Sequence, residues 1–162
     1  MKDYLIKPLQ RYSVSDVMES GDTAAAKPLD PDMPLYEMIK IFFYSNFYMH
    51  PVIDKEGKIV GIVKYDTVKN LMMTSPDDSR TAKDLMDTSS LPKIRLTDTL
   101  DIAVHNFFRK NTDELIVIDK EGIYKGILRK RDVVLAIEEG QKTPSSSAGA
   151  PNGSLNVANG PD

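Results

Sequence analysis

Val52-Ile53-Asp54-Lys55-Glu56-Gly57, with Gly61-Ile62-Val63 just behind it, returns 65 residues later as Val117-Ile118-Asp119-Lys120-Glu121-Gly122 and Gly126-Ile127-Leu128. Each copy reads as a hairpin: an apolar run, a turn of Asp, Lys, Glu and Gly, then a second β-branched run. Turn formers between two such runs mark a hairpin, and Gly57 and Gly122 supply the positive φ that other residues resist. The chain is therefore two related halves, and its fold follows from what surrounds the hairpin in each.

Upstream of the first hairpin, Leu35, Met38, Ile39, Phe42 and Phe43 fall on one helical face. Leu100, Ala103, Val104, Phe107 and Phe108 repeat the spacing upstream of the second. Two amphipathic helices with matching apolar stripes follow. Asp32 and Thr97 stand where caps are expected, and Pro34 suits a first turn, where its missing N–H costs nothing. Downstream of the hairpins, Val68, Leu71 and Met72, and then Val133, Ala136 and Ile137, mark a second helix in each half. Before all of this come two short helical starts, Ser13-Val14-Ser15-Asp16-Val17-Met18 and Thr81-Ala82-Lys83-Asp84-Leu85-Met86, now 68 residues apart. The extra spacing belongs in a loop, where added length is cheapest. A short strand is expected near Ala24–Leu29 and near Lys93–Thr97.

The resulting division is a lead-in at 1–12, a first repeat at 13–74, a linker at 75–80 rich in turn formers, a second repeat at 81–140, and a tail at 141–162. The tail is small, polar and poor in core formers, the composition of a disordered segment. One half of about 60 residues is marginal alone, so the two are expected to share an interface.

Composition removes several function classes. The 162 residues are 41% hydrophobic with a formal net charge of -3, which does not ask for a nucleic-acid backbone. There is no cysteine and there are only two histidines, so disulfides, thiol nucleophiles and Cys/His zinc sites are out. No apolar run approaches the roughly 20 residues of a membrane span, and no signal-peptide pattern opens the chain. A cytoplasmic location and no direct membrane insertion are the expectation. His50 precedes Pro51 and His105 lies off its helix's apolar stripe, so neither reads as a catalytic base beside a nucleophile. The acidic pairs Asp30/Asp32 and Asp77/Asp78 read as turn formers without the further ligands a cation needs. No enzyme is expected.

With Ser15-Asp16-Val17-Met18, Lys83-Asp84-Leu85-Met86, His50-Pro51-Val52-Ile53-Asp54 and the two Gly-β-β segments in order, each half resembles a CBS domain. The tandem resembles a CBS pair, or Bateman module, over about residues 13–139. The resemblance implies an α/β (α+β) chain of two pseudo-twofold-related β-α-β-β-α units, a homodimer, and regulation of an attached or associated enzyme or transporter by adenine nucleotides. It implies no required cofactor, and AMP, ADP or ATP as ligand. Gly126-Ile127-Leu128-Arg129-Lys130-Arg131-Asp132-Val133-Val134-Leu135-Ala136-Ile137 is similar to a segment in the cytoplasmic CBS pairs of chloride-channel-like transporters. Stand-alone bacterial pairs share this likeness.

Nucleotide-binding members of the family carry Gly-hydrophobic-hydrophobic-Thr/Ser-x-x-Asp at the last strand-to-helix junction. In the second repeat Asp132 holds the ribose position and Arg129 replaces the hydroxyl that holds phosphate. A guanidinium can take that role bidentately, with Lys130 adding charge. Leu91, Pro92, Ile94 and Ile116 match the adenine-sandwiching positions. In the first repeat Lys64 replaces the hydroxyl and Thr67 the Asp, with Pro51 nearby. Asp66 is one place early, about 100° round the helix, so this site is expected to be empty or to take another ligand. Two bland readings compete: Asp132 as a helix cap, and the basic cluster as a solvated face. A ligand-free dimerisation or interaction module is the alternative function. Tyr36, Tyr44, Phe47 and Tyr48 add aromatics to the first half, the last three near the end of its stripe, as extra core or as an interface.

Overall fold

The computed structural model describes residues 8–140, so the expected tail and most of the lead-in lie outside the described residues. The described residues form six helices and six strands, after a helical turn at 8–11. The first half holds α1 (Val14–Val17), β1 (Glu19–Ser20), α2 (Leu35–Tyr44), β2 (Met49–Ile53), β3 (Ile59–Lys64) and α3 (Tyr65–Thr74). The second holds α4 (Ala82–Leu85), β4 (Lys93–Arg95), α5 (Leu100–Lys110), β5 (Glu114–Ile118), β6 (Tyr124–Arg129) and α6 (Lys130–Gly140).

Both hairpins form as read. Gly57 and Gly122 take φ of 85° and 84°, and the Asp54 and Asp119 carboxylates each accept two backbone N–H groups within their turns. Strand β4 runs parallel to β5, which pairs antiparallel with β6. In the first half the equivalent of β4 shrinks to one bridge, Leu29 beside Val52. That is shorter than the strand expected near Ala24–Leu29. Pro28 and Pro31 flank Leu29, and proline cannot donate to a ladder. With that contraction each half is the expected β-α-β-β-α unit.

The short opening helices do not pack on their own halves. Strand β1 pairs with β6 of the second half, Glu19 opposite Ile127, while Asp87 bridges Ile62 of the first. Val14 donates its N–H to the Asp98 carbonyl, and its fully buried side chain joins the second core with Leu100, Phe107 and Leu128. Ala82 donates to the Met33 carbonyl and joins the first core with Leu29, Met38 and Phe42. The halves have exchanged their openings. Burying a valine side chain completely contributes about 1.5–3 kcal/mol, so the exchange ties the repeats firmly. A third core of Ala26, Phe47, Met49, Ile62, Ile116, Tyr124 and Ile127 lies between the two hairpins. There the Tyr124 hydroxyl donates to the Ala26 carbonyl at 2.5 Å.

Some helix details differ from expectation. The caps are Pro34 and Thr99, not Asp32 and Thr97, so each helix starts later than read and Pro34 lies just before the first turn. Thr99 directs its hydroxyl onto the Asp101 carboxylate. Phe43 and Phe108, counted into the stripes, are 75% and 79% exposed. They sit eight positions after the first stripe residue, about 80° round the helix from it, which is beyond the buried arc. Met72 is likewise exposed, whereas Phe47 is core, and Tyr36, Tyr44 and Tyr48 are exposed.

Candidate functional site

Where the two halves meet at the β6–α6 junction, they enclose a cavity of about 770 Å³. One wall comes from the end of α2 and the loop into β2, with Phe42, Phe43, Phe47 and Tyr48, and from Tyr65 at the start of α3. The facing wall carries Asp113, Glu114, Arg129, Lys130 and Arg131. A smaller cavity of about 300 Å³ adjoins it, shares Tyr48, Tyr65, Asp113 and Glu114, and has Lys64 and Asp66 on its far side. Lys64 and Arg129 are equivalent positions of the repeat, so each cavity has a cation at its strand-to-helix junction.

Asp132 caps α6. Its Oδ2 accepts the Arg129 backbone N–H at 3.0 Å, the way Asp16 and Asp84 serve Ser13 and Thr81. The same carboxylate takes the Arg129 side chain in two bonds, Nε to Oδ2 at 3.1 Å and Nη2 to Oδ1 at 3.0 Å. The guanidinium also lies 5.0 Å from the centre of the Phe47 ring. Arg129 is thus held by a planar fork and an aromatic face together, a pre-organised cation on the cavity wall. Lys130 pairs with Asp113 at 2.9 Å, and Arg131 is exposed.

Glu114 is the unusual wall residue. It is only 4% exposed, and its carboxylate accepts the N–H of Tyr48 at 2.9 Å and of Met49 at 3.2 Å, both from the other repeat. Burial pushes its carboxyl up to about 7, although the two N–H bonds and the nearby Arg129 charge pull the other way. Below the cavity lies His50, fully buried. Its Nδ1–H donates to the Lys27 carbonyl and its Nε2 accepts from the Ser45 hydroxyl, each at 2.8 Å. Burial lowers its pKa to about 4, so the ring is neutral at ordinary pH.

Of the residues singled out from the sequence, Arg129 and Lys130 line the cavity, and Asp132 is bonded to Arg129 without lining it. Leu91 packs beside Ile116 in the core between the hairpins, and Pro92 is buried next to them, its carbonyl accepting the Ile116 N–H. Ile94 belongs to the separate core of the second half. None of these four lines the cavity. In the first repeat Lys64 lines the smaller cavity and pairs with Asp87 at 3.6 Å. Thr67 is half-buried and Pro51 is buried within β2, and neither lines that cavity. Sequence reasoning missed Glu114, Tyr65 and Asp113. The one signal for Glu114 was a carboxylate where the first repeat has Met49, at the head of an otherwise apolar strand. Among the described residues no group of three or more His, Asp or Glu side chains is placed to hold a metal, and no helix is long and apolar enough to cross a membrane.

The family model of the CBS domain matches residues 14–74 and again 82–139. The chain belongs to the CBS-domain family. This CBS pair is also 30% identical over 117 residues to inosine-5'-monophosphate dehydrogenase of Aquifex aeolicus, a match over 72% of the chain and 23% of that enzyme. It therefore spans about a quarter of the length of that curated relative. Among solved structures it superposes on CBSX2 in complex with AMP with a TM-score of 0.68 and 23% identity, covering 81% of this chain and 99% of that one. It also superposes on the CBS domain of the bacterial CNNM/CorC family Mg2+ transporter in complex with ATP. There the TM-score is 0.65 and the identity 16%, covering 85% of this chain and 96% of that one. The CBS pair of protein MJ0100, solved with 5'-methylthioadenosine and S-adenosylmethionine, gives a TM-score of 0.62 at 19% identity, covering 81% of this chain and 98% of that one. At these identities the likeness is one of fold.

Proposed function

We propose that this CBS pair is a non-catalytic sensor of an adenine nucleotide, with the large cavity as its ligand site. The observation that carries the reading is the wall of Arg129, Lys130 and Arg131 facing Tyr48 and Tyr65 across a space of about 770 Å³. Three consecutive cations at the N-terminus of an 11-residue helix suit a phosphate, and aromatic rings suit a base. The adenine ligands of the CBSX2, CNNM/CorC and MJ0100 structures support the same class, with AMP, ADP or ATP as the candidates here. Both Asp132 oxygens are bonded to Arg129, so a ribose hydroxyl competes with the guanidinium for them. Binding is then an exchange in which Arg129 turns to phosphate and releases Asp132 to the sugar. Because the walls come from different repeats, 13–74 and 81–140, an occupant favours one relative arrangement of the halves and passes it to whatever protein is attached or associated. On this reading the pair works in the cytoplasm, without nucleic acid, and serves a transporter or an enzyme.

The alternative is a ligand-free dimerisation module. It is favoured by the exposed Phe43 and Phe108 at equivalent places on α2 and α5, with Tyr36 and Tyr44 beside the first. A homodimer is compatible with both readings. Thermal unfolding with AMP, ADP, ATP and S-adenosylmethionine separates them. A rise of several degrees with one ligand, lost in Asp132→Ala, supports the sensor. No rise with any of the four, together with a dimeric mass in solution, supports the scaffold.

A further inference from the structure

Among the described residues, Glu114 is the one carboxylate buried at the junction of the repeats with no cation bonded to it, and it lines both cavities. Across the β5–β6 ladder it stands directly opposite Arg129. Opposed residues of an antiparallel pair hold their Cβ atoms about 5 Å apart on one face. Arg129 gives its Nε and one Nη2 donor to Asp132 and acts on Glu114 through space, by charge. Any phosphate that engages Arg129 therefore arrives beside Glu114 and cancels the nearest positive charge.

We propose, on the reading of the large cavity as a nucleotide site, that Glu114 couples ligand binding to proton uptake, the phosphate seating best when this carboxyl is neutral.

The charges around Glu114 set the direction. Asp113, in the bend just before β5, opposes ionisation, and Arg129 favours it. Lys130 is tied to Asp113, and Arg131 is exposed at the cavity mouth. From β2 comes only the buried, neutral His50; from the start of α3 come Tyr65 and Asp66, and Lys64 beside them is paired to Asp87. None of these replaces the Arg129 charge once phosphate has neutralised it. An incoming anion thus raises the Glu114 pKa further from its value near 7, and a proton enters from solvent. The neutral carboxyl keeps acceptor capacity for the Tyr48 and Met49 N–H groups and gains an O–H that can donate toward the phosphate. The sign follows: affinity rises as pH falls from about 8.5 toward 7 and levels off below, where free and bound forms are both protonated.

The test is calorimetric titration of the whole chain with ATP between pH 6.5 and 8.5, at each pH in two buffers of different ionisation enthalpy. The same titrations are run on Glu114→Gln and Glu114→Met. Gln is neutral and can still accept both N–H bonds through one oxygen; Met is what the first repeat carries at the matching Met49. Protons taken up by ATP itself are common to all three proteins and cancel in the comparison. Wild type is expected to lose affinity roughly five- to tenfold across this range and to take up protons beyond those of the variants. Both variants should stay nearly level, at the tighter wild-type value. Binding with the same pH dependence and proton count in all three proteins overturns the coupling alone. Failure of ATP to bind at any pH overturns the nucleotide reading and the coupling with it.

Discussion

A guanidinium stands at position 129 where a hydroxyl is usual in nucleotide-binding relatives, and it changes what Asp132 is worth. Arg129→Ala removes the planar donor and leaves Asp132 as a bare cap. Nucleotide affinity should fall roughly ten- to a hundredfold, the value of one or two charge-assisted hydrogen bonds. Arg129→Lys should rescue little, since an ammonium cannot form the fork or stack as well on Phe47; equilibrium titration reads both. His50 and Glu114 give a second prediction, from opposite signs. His50 has its pKa lowered to about 4, so the unfolded chain binds the extra proton and stability rises with pH up to its ordinary value of 6.5. Glu114 has its pKa raised to about 7, so its contribution is full below 4.5 and is lost as pH rises through 7. The two slopes oppose in between. Glu114→Met should uncover the His50 slope, with stability rising by about 2 kcal/mol from pH 5 to 6.5 in urea melts, against a nearly flat wild type. At this scale the sequence was readable at the strand-to-helix junction, where Arg129, Lys130 and Asp132 sit within one short motif. Glu114 was hidden because it lies outside that motif, at the head of the otherwise apolar β5, and its meaning comes from two N–H groups of the other repeat.

Among the elements, the strand following each hairpin turn is constrained by a glycine. A Cβ on Gly126 would lie 2.2 Å from the Glu19 carbonyl oxygen, where β1 crosses from the other half. On Gly61 it would lie 2.5 Å from the Met86 sulfur, the matching crossing. The Met86 sulfur and Cγ can swing aside, leaving its Cβ at 2.9 Å to be eased by a small shift, but a paired backbone carbonyl cannot move without breaking the ladder. Gly126→Ala should therefore destabilise by about 1–3 kcal/mol, and Gly61→Ala by clearly less; denaturant midpoints of the two variants give the order. The hairpins and helices were legible in composition because their turns and stripes are local. The partner of each opening helix was not. Val14 and Ala82 read as members of their nearest halves, since sequence separation says nothing about which of two similar cores a buried methyl group enters.

Across the whole molecule, three cores make a single unit: one per half, and one of Phe47, Met49, Ile116 and Tyr124 between them. The cores explain why none of the four adenine positions taken from the family lines the cavity: Ile116 closes the contact between hairpins and Ile94 fills the second core. The exchanged openings carry a further consequence for the linker at residues 75–80, whose Asp78 is bonded mainly to its neighbour Arg80. A protease cut there would separate the covalent chain but not the folded one. Each fragment would still carry the segment that completes the other's sheet, through Glu19 on Ile127 in one direction and Asp87 on Ile62 in the other. The two pieces, made as separate polypeptides and mixed, should reconstitute one particle of the parent's size on gel filtration, whereas either piece alone should remain incompletely folded. The molecule is thus already organised as a pair of complementing fragments that happen to be joined.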